Sequence, residues 1–148
     1  MAFVGRELSV SIGMDRDRLS EIYQSVRPYG GLLHLLCDPE QAEKLFAKIV
    51  DMKIAQAEVV QTEQGLQIRR VGPLPGSADW THQHGNIANT IKSDDRLVKL
   101  PLGVLWFGGN TNIDTLPRHG HGPPEQVVGG RLIIQGLNSL TARDVYTG

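Results

Sequence analysis

Apolar residues at Leu19, Ile22, Tyr23 and Val26 fall three and four positions apart, which predicts one buried helix stripe, with Asp15 placed to cap its start. The stripe stops at Arg27-Pro28-Tyr29-Gly30-Gly31, where a proline and two glycines end a helix. Leu32-Leu33-His34-Leu35-Leu36-Cys37 follows as an apolar run with one polar member, the pattern of a strand covered on both faces. Asp38-Pro39 supplies a cap and a first-turn proline, and Ala42, Leu45, Phe46, Ile49 and Met52 give the second helix a single stripe. Residues 58–61 and 66–71 read as two strands of a hairpin turning at Glu63-Gln64-Gly65. The order helix, strand, helix, strand, strand predicts an α/β sheet that ends in a hairpin.

The pattern changes at Gly72. Residues 72–79 hold Gly72, Pro73, Pro75 and Gly76 and read as a linker. Beyond them, Gly103-Val104-Leu105-Trp106-Phe107-Gly108-Gly109 predicts the strongest strand of this half, and Trp106 and Phe107 are expected in a core. Residues 110–126 form a long loop, of a length usually reserved for function or disorder. Residues 127–136 and 140–145 predict two strands around a turn, closed by an Asp-x-x-Thr-Gly corner at Asp144 to Gly148. Such a corner normally feeds another strand. The expectation is therefore a piece of a larger sheet, with strand edges left unsatisfied.

Composition narrows the classes. Hydrophobic residues make up 40% and charged residues 21%, which fits a folded chain rather than a disordered one. Formal net charge is −1, so electrostatics gives no case for nucleic acid as a partner. The Arg69-Arg70 pair is expected at a solvated strand end. One cysteine, Cys37, excludes an internal disulfide framework and a cysteine-based zinc cluster, and it is expected as a buried, small hydrophobe. No stretch approaches the ~18 apolar residues a membrane helix requires. Residues 1–10 carry Arg6 and Glu7 without a long apolar core, so a signal peptide is not expected. The compartment stays open.

Four histidines carry the candidate chemistry. His82/His84 and His119/His121 are two His-x-His pairs, and in an extended segment each pair would aim two imidazoles to one side, a donor set suited to zinc or copper. Asp114 or Glu125 would add an oxygen ligand. The same histidines also fit ligand or sugar contacts, or simple loop packing. No Gly-x-Ser-x-Gly elbow, phosphate-binding loop or Cys-x-x-Cys-His haem motif is present.

Two resemblances organise these readings. A helix running into Val26-Arg27-Pro28-Tyr29-Gly30-Gly31 and then an apolar strand makes residues 1–71 resemble the C-terminal part of a class I S-adenosylmethionine-dependent methyltransferase, although Tyr29 interrupts that family's Pro-Gly-Gly turn. The family's glycine-rich cofactor loop has no counterpart here. Residues 79–148 resemble the opening of a pyrroloquinoline-quinone-like (quinoprotein) β-propeller of bacterial multidomain proteins. The resemblance rests on Trp80-Thr81-His82, Leu105-Trp106-Phe107-Gly108-Gly109, a histidine-containing loop, Gly129-Gly130-Arg131-Leu132-Ile133-Ile134 and the Asp144 corner.

Together they imply an α+β fold. Residues 1–71 would be the end of an α/β, Rossmann-like domain, 72–79 a linker and 80–148 the start of an incomplete β-propeller. They imply a junction fragment without a complete active site, whose parent binds a redox cofactor or acts as a scaffold. Pyrroloquinoline quinone or S-adenosylmethionine would bind only in a complete parent, and the partners would be that parent's remaining blades and α/β half. Trp80, His82, Arg118, His119 and His121 are the expected ligand-contacting residues. The alternatives are a methyltransferase-related enzyme with its catalytic half upstream, and a small metal-binding protein using His82, His84, His119 and His121.

Overall fold

The computed structural model of the chain describes residues 15–109, 115–116 and 122–148. The chain divides into two compact units, Met1–Gly72 and Pro73–Gly148.

In the first unit, helix α1 (Arg16–Gln24) begins where the Asp15 carboxylate accepts from the Arg18 amide. Helix α2 (Pro39–Asp51) starts the same way, with Asp38 accepting from the Gln41 amide and Pro39 in the first turn. Between them runs β1 (Gly31–Leu36), and after α2 come β2 (Ala57–Thr62) and β3 (Gly65–Arg70). The sheet order is β1-β3-β2, with both pairings antiparallel. Leu33 pairs with Ile68 and Leu35 with Leu66, and these side chains meet Leu19, Tyr23, Ala42, Leu45 and Ile49 in one core. That core is the main stabilising term of the unit, since each fully buried large apolar side chain is worth roughly 1.5–3 kcal/mol.

This overturns the Rossmann-like expectation. A Rossmann-like sheet is parallel and has helices on both faces, whereas here every strand neighbour is antiparallel. The run at 32–37 is likewise not a strand covered on both faces. Leu33 and Leu35 are buried, but Leu32 and Leu36 are 45% and 53% exposed, so the continuous leucines conceal an ordinary in–out alternation.

In the second unit, β4 (Gln126–Val128), β5 (Arg131–Gln135) and β6 (Leu140–Asp144) form an antiparallel meander. Gly129 and Gly130 both sit at positive φ, 57° and 74°, as a two-residue hairpin turn between twisted strands requires. Trp80 adds one isolated antiparallel bridge to Val127, its amide and carbonyl both hydrogen-bonded at 2.8 Å. The expected strand at 103–109 is not a strand. Val104 and Leu105 are exposed and Phe107 is 99% exposed. No described strand pairs with it, and a strand without a ladder leaves its amides and carbonyls to water. The Trp106 indole N–H tethers the segment by donating to the Val145 carbonyl at 2.9 Å.

The chain is thus a small mixed α+β protein with two helices and two antiparallel three-stranded sheets among its described residues. It is not a Rossmann-like portion followed by an incomplete propeller.

Candidate binding surfaces

In the first unit both helices pack on one face of the sheet, and among the described residues no element covers the other. Register fixes the rows of that face: Leu32, Arg69 and Glu58; then His34, Gln67 and Val60; then Leu36, Gly65 and Thr62. Gly30, Leu32, Glu58, Val60, Gln67 and Arg69 line a shallow hollow of about 270 Å³. The hollow pairs one cation and one carboxylate with two aliphatic side chains. Alternation in 57–62 and 65–70 is the sequence signal for this face, but Leu32 was hidden inside an apparently uniform apolar run.

Arg70 departs from the reading of Arg69-Arg70 as a solvated pair. Arg69 is exposed, whereas Arg70 is only 6% exposed. Neighbours in a strand point to opposite faces. Arg70 therefore enters the core side, where its Nη1 donates to the Gln24 and Val26 carbonyls at 2.9 and 2.7 Å. Cys37 is half-buried at the core margin. Burial, with Asp38 beside it, pushes its thiol above the ordinary range and away from nucleophilic character.

In the second unit, His82 and Gly85 close a tight turn with Gln83 and His84 at its tip, the Gly85 amide donating to the His82 carbonyl at 3.0 Å. The segment is a hairpin turn rather than an extended strand, so strand alternation does not align these two imidazoles. His82 Nδ1 lies 2.8 Å from Thr81 Oγ1. Trp80 is half-buried, and its ring covers Gly85, where an added Cβ would meet ring carbon at 3.5 Å. Arg118, His119, His121 and Asp114 lie outside the described residues. Among the described residues, no group of three or more His, Cys, Asp or Glu side chains could hold a metal ion.

Two carboxylates organise the loops here: Asp144, which heads the predicted corner, and Asp95, which no sequence motif singled out. Asp95 Oδ1 accepts from the Leu97 and Val98 amides at 2.7 and 2.9 Å, and Oδ2 accepts from the Ala78 amide at 3.3 Å. The Val98, Leu97 and Ala78 amides hold its carboxyl below the usual range, against an opposing effect of burial. Asp144 Oδ1 accepts from the Tyr146 and Thr147 amides at 2.9 and 3.1 Å, which builds the corner that the Asp-x-x-Thr-Gly spacing predicts. Beyond Asp95, a run of apolar side chains is open to solvent: Leu97, Val98, Leu100, Leu102, Val104, Leu105 and Phe107.

No helix among the described residues is long and apolar enough to cross a membrane. Comparison with protein-family models, curated proteins and solved structures returned no match.

Proposed function

We propose that the chain is a non-catalytic binding and scaffold protein whose exposed apolar surface is covered by further protein. The observation that carries this reading is the exposed apolar run from Leu97 to Phe107. Contiguous exposed apolar surface marks interaction sites rather than solvated faces. The clustered chemistry of the described residues supports the same reading. Asp95 and Asp144 are spent on backbone amides, and Arg70 on helix carbonyls. None of these groups is left to face a substrate.

Calorimetric titration of the full chain with pyrroloquinoline quinone and with S-adenosylmethionine tests the reading. The expected result is no saturable heat from either cofactor. In parallel, an environment-sensitive apolar dye should bind strongly and lose signal when Leu105 and Phe107 are replaced by Ser. Saturable one-to-one binding of either cofactor overturns the proposal, as does dye binding indifferent to both substitutions.

A further inference from the structure

Among the described residues, no strand pairs with the outer edge of β1. There β1 ends its sheet, and its described ladder runs to β3. Hydrogen-bond parity shows which groups face outward. The Val71 amide donates to the Gln56 carbonyl, so the odd-numbered residues of β3 serve β2 and the even-numbered ones serve β1. The Cys37 amide donates to the Gln64 carbonyl in agreement with this. Leu33 and Leu35 therefore bond inward to β3, and the amides and carbonyls of Leu32, His34 and Leu36 point away from the sheet.

Open edges are normally blunted by lysine, proline, a bulge or a covering segment. β1 has the sequence Gly-Leu-Leu-His-Leu-Leu and carries no charged residue and no proline. It also reads the same in both directions about His34: Leu32-Leu33-His34-Leu35-Leu36. A two-fold antiparallel pairing of this strand with itself is then matched at every position.

We infer that β1 pairs edge to edge with β1 of a second copy of this chain, in the register that places His34 opposite His34 of that copy. In this register Leu32 faces Leu36 and Leu33 faces Leu35, so leucine meets leucine on both faces of the joined sheet. The outward groups of Leu32, His34 and Leu36 all find partners, giving about six inter-chain hydrogen bonds. Registers centred on Leu33 or Leu35 also match parity but pair fewer of these groups. No like charges meet, because β1 holds no carboxylate, lysine or arginine. A strand edge buries less than a standard interface, so the dimer belongs to an affinity range on the order of 10–100 μM. The inference does not depend on the cofactor-free reading above, since it uses the strand edge and none of the 97–107 surface.

Sedimentation equilibrium of the full chain, from roughly 5 to 300 μM, tests it. The wild-type chain is expected to show a reversible monomer–dimer equilibrium. His34→Glu and His34→Lys each place like charges face to face at the two-fold axis and should each weaken the dimer at least about tenfold. An equimolar mixture of the two variants should restore it, because Glu then faces Lys. A merely structural role for His34 would not produce that rescue. Unchanged far-ultraviolet dichroism would show that both variants fold. A wild-type chain that stays monomeric overturns the inference, as does a dimer insensitive to both substitutions or a mixture no tighter than its components.

Discussion

The Arg70 guanidinium lies 5.3 Å from the centroid of the Tyr23 ring. Each residue also secures a segment the other cannot reach. Arg70 comes from β3 and caps the carbonyls of Gln24 and Val26 at the end of α1. Tyr23 comes from α1, and its hydroxyl donates to the Ala55 and Gln56 carbonyls at 3.2 and 2.8 Å, just ahead of β2. A buried arginine with no carboxylate beside it among the described residues is tolerable because helix C-terminal carbonyls carry partial negative charge and the aromatic face adds a further electrostatic attraction. Burial raises the Tyr23 phenol above its ordinary range, and the positive charge of Arg70 partly offsets that.

Arg70→Leu should therefore destabilise the first unit by about 1–3 kcal/mol, since it strands two helix-end carbonyls. Tyr23→Phe should cost about 1 kcal/mol, the usual worth of one net hydrogen bond. The two effects should be less than additive, because the residues touch. Urea unfolding followed by far-ultraviolet dichroism checks this directly, because both helices belong to the first unit. Trp80 and Trp106 lie in the second unit and should report no change in its midpoint.

Legibility in the sequence followed how local each determinant was. Asp15, Asp38 and Pro39 act within one helical turn, and both helices start where those residues predict. The turn at Glu63-Gln64 and the Asp144 corner are also short-range and were readable. Partner choice was not. Leu32 and Leu36 resemble Leu33 and Leu35 in sequence, and only pairing with β3 together with one-sided helix packing separates buried from open. Arg70 reads as a surface charge until α1 brings its carbonyl end to it. The glycine-bounded 103–109 run has the composition of a strand, but composition cannot supply a neighbouring ladder. Of the candidate histidines, His82 and His84 fall in a turn that Gly85 makes possible at φ 99°, a backbone determinant that His-x-His spacing does not encode.

Gly65 should be among the least replaceable residues of the first unit. It sits at φ 132°, and a Cβ there would run into the Leu35 carbonyl oxygen and lie 2.9 Å from the Cys37 amide nitrogen. Both obstacles are backbone, so neither can swing aside. Gly65→Ala should cost about 2 kcal/mol or more through combined strain and displacement of β1. Gly103→Ala is the matched control, because a Cβ there meets nothing within 4 Å. Thermal unfolding of the two variants, followed by dichroism, should show a large shift for the first and none for the second.

Asp95 makes the 76–98 loops sensitive to acid. Its folded-state pKa is depressed by the Val98, Leu97 and Ala78 amides. A carboxyl of this kind contributes stability at pH values above its unfolded pKa, about 3.9, and that contribution is lost as the pH falls through the lower folded value. The loop should therefore hold at pH 5 and above and loosen below about pH 4. The protection of the Ala78, Leu97 and Val98 amides against hydrogen exchange, measured relative to the intrinsic rate at each pH, should fall together in that window. Asp95→Ala should show the lower protection already at neutral pH, with no acid step left. An acid step that persists in this variant would assign the transition to another group.

The corner at Asp144 and the anchor at Trp106 should fail together. Asp144 holds the Tyr146 and Thr147 amides, and its own carbonyl accepts from the Gly148 amide at 2.9 Å. This turn presents the Val145 carbonyl to the Trp106 indole, and Gly148 lies beneath the ring, where an added Cβ would stand 3.1 Å from ring carbon. Asp144→Ala removes the acceptor for two amides and should cost about 1–2 kcal/mol in the second unit. Trp106→Phe keeps an aromatic ring over Gly148 but loses the indole donor, so it should cost about 1 kcal/mol. If turn and anchor form one device, the double variant should fall short of the sum, since an unformed corner no longer offers the Val145 carbonyl for Trp106 to bind. Urea unfolding read by the fluorescence of Trp80, the tryptophan present in all the variants, would measure that coupling, and strict additivity would show that the corner forms without help from the 103–109 segment.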